Sequence, residues 1–172
     1  MEEEELDDEL YDQIESLSED GNVFVDQDDY IAALKKFQEA LALVPEPKTK
    51  WDAALWLYAS IGDMYLFLED YKASADAFYN ALNCPEGQES AFIHLRLGEA
   101  LFELEEKEDA LDHLLRAYML EGTELFKDEE EKYYDFLKSN VEGIGENESS
   151  QAPEKKEEKT ENKWLPPDWN KN

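Results

Sequence analysis

Two histidines, one cysteine and one aspartate run are the groups in this 172-residue chain that could do chemistry. His94 and His113 would be metal ligands or proton carriers if partners lay at ligand spacing, but neither has a Cys or carboxylate so placed. They read as structural or surface histidines. Asp26-Gln27-Asp28-Asp29 hints at a calcium loop yet lacks the glycine and the later glutamate that such a loop needs. It reads as a polar turn between helices. Cys84, just before Pro85, reads as a packing residue near a helix end, and no phosphate-cradling glycine loop or nucleophile motif occurs. The sequence therefore points away from an enzyme, and implies no cofactor and no metal. Recognition by a surface remains.

Composition narrows the partners. Net charge is −29, with 42% apolar and 12% aromatic residues. A core can be buried despite the charge. So acidic a chain repels nucleic acid and anionic membranes and attracts a basic partner, although the charge also serves solubility. From Gly143 onward there are five lysines and seven acids; the first 142 residues hold the other 11 basic and 38 acidic residues, a net of −27. Eight of residues 2–12 are acidic, and Glu129-Glu130-Glu131 forms another cluster. A single cysteine allows no internal disulfide and fits a reducing compartment. MEEEELDDEL has no signal-peptide character, no apolar run approaches a membrane span, and the chain reads as cytoplasmic. The Asn147-Glu148-Ser149 sequon would then have no use.

The elements that must position a binding surface appear as a repeat. Around Gly21, Gly62 and Gly98 the chain carries a large or aromatic residue four before (Leu17, Tyr58, His94) and three after (Phe24, Tyr65, Leu101). A small residue follows at 12 (Ala33, Ser74, Ala110), a large one at 16 (Phe37, Phe78, Leu114) and alanine at 19 (Ala40, Ala81, Ala117). The glycines are 41 and then 36 residues apart, and the first junction carries the insertion, Pro45–Trp51. Each unit has two segments of helical apolar period split by a polar turn: Asp26-Gln27-Asp28, Glu69-Asp70 and Glu105-Glu106. Two helices joined so tightly pack antiparallel. Small residues facing each other at the crossing let the axes approach, with Gly on one helix and Ala or Ser74 on the other. A mid-helix glycine costs ~1 kcal/mol against alanine, so three in register imply a packing purpose.

This pattern resembles the tetratricopeptide repeat (TPR) over roughly residues 14–122. The resemblance implies an all-α, right-handed solenoid of three helix pairs. A final helix from about Asp128 to Lys138 would cover the open end. It also implies a concave face lined by the first helix of each pair. By register that face holds Glu15, Ser18, Asn22, Val25 and Asp26; then Trp56, Ala59, Asp63, Leu66 and Phe67; then Phe92, Leu95, Glu99, Phe102 and Glu103. Family co-chaperones grip a C-terminal carboxylate there with lysine, asparagine and arginine. Here Asn22 and Arg96 match two such positions, while Ser18, Phe92 and Ser60 replace the others. A carboxylate would meet Asp63 and Glu99, so that use is not expected.

The implied organisation is a helical domain over 1–142, a linker over 143–162 and a tail over 163–172. Trp164, Leu165 and Trp169 suggest that the tail docks, extended, on a groove of its own or another chain. Two uses of the groove compete. One is capture of a basic protein, most sharply an immunity protein neutralising a cationic toxin such as a nuclease. The other is a chaperone or scaffold holding a peptide segment of a secreted or assembling client.

Overall fold

Aspartates and a serine cap four of the helices. In the computed structural model, which describes residues 6–146, the Asp7 side chain accepts a hydrogen bond from the Glu9 N–H (3.1 Å), Asp29 from Ala32 (3.0 Å), Asp70 from Ala73 (3.1 Å) and Ser90 from Ile93 (3.3 Å). Each satisfies an amide that the helix itself leaves unpaired. The helices are α1 (Asp8–Asp26), α2 (Tyr30–Leu43), α3 (Asp52–Phe67), α4 (Tyr71–Leu82), α5 (Ala91–Glu103), α6 (Lys107–Glu121) and α7 (Glu131–Asn140). The fold is all-α: three helix pairs of the tetratricopeptide type followed by a C-terminal helix. α1 pairs with α2, α3 with α4 and α5 with α6.

The three turns within pairs share one backbone motif. Asp28, Glu69 and Glu105 adopt left-handed φ of 56°, 60° and 62°. The next amide in each case reaches back five residues, Asp29 N to Phe24 O (2.9 Å), Asp70 N to Tyr65 O (2.9 Å) and Glu106 N to Leu101 O (3.0 Å). This is the Schellman closure, which normally takes glycine at the left-handed position. Here an acidic residue stands there each time.

The glycines lie where a helix partner leaves no room for a methyl. A Cβ on Gly21 would stand 2.7 Å from the Phe37 ring, on Gly62 2.7 Å from the Phe78 ring, and on Gly98 2.7 Å from Leu114 Cγ. The repeat grammar implied that each glycine faces a small residue of the second helix, alanine or Ser74. The structure instead sets it under the large residue at offset 16. The small residue still serves close approach: Ser74 Oγ, buried, donates to the Gly62 carbonyl at 2.8 Å.

The described residues fall into two compact units, the first ending at Pro85 and the second beginning at Glu86, where the repeat alone implied one body over 1–142. In the first unit α2 also packs on α3. The insertion between them is pinned: the Trp51 indole N–H donates to the Pro45 carbonyl (3.0 Å) and Lys48 Nζ to the Val44 carbonyl (2.7 Å). In the second unit Leu95, Leu114, Ala117, Phe126, Tyr133 and Leu137 form a core. A 3-10 turn at Thr123–Phe126 delays α7, which begins at Glu131 and ends at Asn140 rather than spanning 128–138. The chain then folds back. Val141 and Ile144 pack against the same core, and the Gly145 N–H donates to the Tyr118 hydroxyl at 3.0 Å. Ordered packing thus runs past 142 into the stretch read as linker. Trp164, Leu165 and Trp169 lie outside the described residues.

Candidate partner-binding face

In the first unit the register positions of α1 are mostly buried, and Asp26 at the helix end is exposed. Glu15 is half-buried, whereas Ser18, Asn22 and Val25 are buried. Ser18 is turned inward, its hydroxyl donating to the Ile14 carbonyl at 2.8 Å. Asn22 is 6% exposed, and its Oδ1 has no hydrogen-bond partner among the described residues. Such a buried acceptor costs about 1–3 kcal/mol. On α3, Trp56 and Leu66 are half-buried and Asp63 is buried. Phe67 reaches the helix end, where it stacks on Tyr30 with ring centroids 4.8 Å apart. It belongs to the turn edge of the unit as much as to the inner face.

In the second unit the expected lining is largely consumed by packing. Leu95, at 1% exposure, lies in the core and offers no surface to a partner. Phe102 packs edge-on against Tyr133 (5.4 Å) and Phe136 (5.1 Å) of α7, with the Lys107 ammonium 3.2 Å from its ring centroid. Glu103 accepts a hydrogen bond from the Tyr133 hydroxyl at 2.8 Å and pairs with Lys132. Burial raises the Glu103 pKa, but the bonds from Lys132 and Tyr133 outweigh it and hold the carboxyl below its ordinary value. Burial and the same carboxylate keep the Tyr133 hydroxyl protonated. Register alone could not show this, because it does not say which helix α7 lies against.

Arg96 is the basic group that register places among the inner-face positions. Its Nη1 donates to Glu99 Oε2 at 2.9 Å and to Glu129 Oε2 at 2.6 Å, and its guanidinium lies 5.4 Å from the Phe92 ring centroid. Glu99 is buried beside it and Phe92 is half-buried. Charge-assisted bonds of this length are strong. The cation is thus committed inside its own unit. Glu129 had signalled itself only as part of an acidic cluster.

The histidines do meet. His94 and His113 stack with Nδ1 atoms 2.9 Å apart, and His94 Nε2 lies 3.1 Å from the Gln88 carbonyl. A carbonyl only accepts, so Nε2 of His94 carries hydrogen. In the neutral pair His113 then donates Nδ1–H to His94. Burial lowers both pKa values, that of His113 to about 4 with His94 as the second cause. No group of three potential ligands occurs among the described residues. The Cys84 thiol donates to the Asn80 carbonyl (3.4 Å), and burial, then Asp52, pushes its pKa up to about 11, so it is a poor nucleophile.

Solved structures share this architecture. The first TPR of Spaghetti (RPAP3), bound to the HSP90 peptide SRMEEVD, superposes with a TM-score of 0.60 at 18% identity, covering 74% of this chain and 90% of that one. The Arabidopsis OM64 TPR domain gives 0.62 at 17% identity, covering 77% and 99%. The second TPR domain of human RPAP3, in complex with the HSP70 peptide SGPTIEEVD, gives 0.59 at 18% identity, covering 76% and 96%. No family model and no curated protein sequence matches the chain. At these identities the likeness establishes the fold alone, the tetratricopeptide-repeat arrangement of helix pairs.

Proposed function

We propose that this chain is a non-enzymatic adaptor or chaperone that holds a peptide segment of a client protein, and that the segment is basic or neutral rather than acid-ended. The observation that carries the reading is Arg96, held by Glu99 and Glu129 at 2.9 and 2.6 Å. A peptide carboxylate would have to displace these two acids and then face Glu103 of the same unit. The lone acceptor Oδ1 of Asn22 fits a peptide N–H or an ammonium group. Peptide binding by neighbours of the same fold supports the ligand type. Half-buried Trp56 and Leu66 supply apolar anchors.

The test is a titration of the full chain with two probes. One is SRMEEVD. The other is the same peptide with its acidic residues replaced by lysine and its C-terminus amidated. The lysine peptide should bind, with affinity falling as salt rises from about 0.05 to about 0.5 M, and Trp56→Ala should weaken it about tenfold. Binding of SRMEEVD as tight as that of the lysine peptide would overturn the reading.

A second reading is favoured by the net charge of −29. It is capture of an intact basic protein, such as a cationic toxin held by its immunity partner, with charge steering the encounter. A folded basic domain isolated with the chain, and not competed off by peptides cut from it, would select this reading over the first.

A further inference from the structure

A second surface lies at the turn edge of the first unit. Tyr30, the first residue of α2, stacks on Phe67, the last residue of α3, at 4.8 Å and 23° between planes. The stack brings the α1–α2 and α3–α4 turns together. Its neighbours in sequence are exposed aliphatics: Ile31, next to Tyr30, is 71% exposed, and Leu68, next to Phe67, is 38% exposed. An isoleucine so open at the start of a helix contributes little to folding, and large apolar groups clustered at one edge mark a contact surface.

The rim is of one sign. Asp26, Asp28 and Asp29 line the first turn, and Glu69 and Asp70 the second. Asp28 accepts a hydrogen bond from the Tyr30 hydroxyl at 3.0 Å, while Asp29 and Asp70 cap their helices. The nearest lysines in sequence are turned to other acids: Lys35 to Glu39 at 4.0 Å, Lys36 to Asp20 at 3.2 Å and Lys72 to Asp76 at 3.6 Å. From this juxtaposition of an exposed aromatic and aliphatic cluster with five carboxylates, we propose that the edge built by Tyr30, Ile31, Phe67 and Leu68 docks a protein segment whose apolar side chains are flanked by lysine or arginine. A second copy of the chain is disfavoured because a symmetric contact would bring five carboxylates against five. An anionic membrane is repelled by the same rim. Phe67 and Asp26 are shared with the inner-face register, but Arg96 and Trp56, on which the inner-face reading rests, do not enter the proposal.

The test uses the isotope-labelled full chain and a synthetic peptide of alternating leucine and lysine. Amide shifts should change at residues 26–31 and 67–71. The double variant Ile31→Ser, Leu68→Ser, altered only at exposed positions and expected to melt as the parent does, should weaken binding at these residues about tenfold. Asp26→Asn with Glu69→Gln, which spares both caps and the Tyr30 bond, should weaken it several-fold and flatten its salt dependence. A leucine–glutamate peptide should leave these residues unmoved. Shifts confined to residues around Trp56, or equal binding by the double variant, would overturn the proposal. So would concentration-dependent shifts at residues 26–31 and 67–71 without peptide, which would mean a second copy occupies the edge.

Discussion

His94 and His113 show how a residue can matter without doing chemistry. Each is held neutral by burial, and their shared Nδ1 contact accommodates one proton between them but not two. The linkage has a definite sign. The folded pKa of His113, about 4, lies below its ordinary value of 6.5, so the unfolded chain binds more protons in that interval. Stability is therefore fully present above pH 6.5 and is lost as pH falls from 6.5 towards 4. The facing charged groups are Asp109, Asp112 and Arg116 on α6, the last of which disfavours protonation as His94 does. Thermal melts of the parent and of His113→Gln across pH 7 to 4 should show the steeper decline in the parent; parallel curves would mean that His113 takes up its proton as readily in the folded chain as in the unfolded one. The sequence could name these two residues but not pair them. They are 19 apart, and only the α5–α6 crossing puts both in one place.

At the scale of the helix, close approach is what the glycines decide. Gly98→Ala would place a methyl 2.7 Å from Leu114 Cγ and 3.1 Å from the Leu114 backbone nitrogen. Overpacking of this kind costs about 1–3 kcal/mol, against ~1 kcal/mol gained in helix propensity. A net loss of up to about 2 kcal/mol by denaturant unfolding is expected, smaller when Leu114→Ala is already present because the two sites are coupled. Additive losses would show that the glycine is not held by that contact. This crossing was legible in sequence, since three glycines at equal offsets from large residues have no other economical cause. Its partner was misassigned for a directional reason. A Cβ points along a definite vector from the helix, so spacing identifies the facing helix but not the side chain beneath the vector. The same limit applied to α7: its apolar residues announced a helix, while the 3-10 turn before it displaced the start to Glu131.

Charge belongs to the whole molecule. A net of −29 spread over a helical protein repels itself and lowers the stability of the compact state. The melting temperature should rise when sodium chloride is raised from about 0.05 to about 0.5 M, since screening shortens the reach of that repulsion. A flat or falling curve would mean that the ion pairs, such as Arg96 with Glu99 and Glu129, outweigh the repulsion. By itself the sequence determined the class of fold, the three helix pairs, the polar turns within them, and the acidity. These follow from local propensity and from a repeat that each copy states again. Tertiary structure decided which inner-face groups are spent: Leu95 in the core, Phe102 and Glu103 beneath α7, Arg96 between two carboxylates. It also turned Phe67 onto Tyr30 at the edge. Those outcomes depend on where separate helices lie in space, and a periodic pattern records only which face of each helix turns inward.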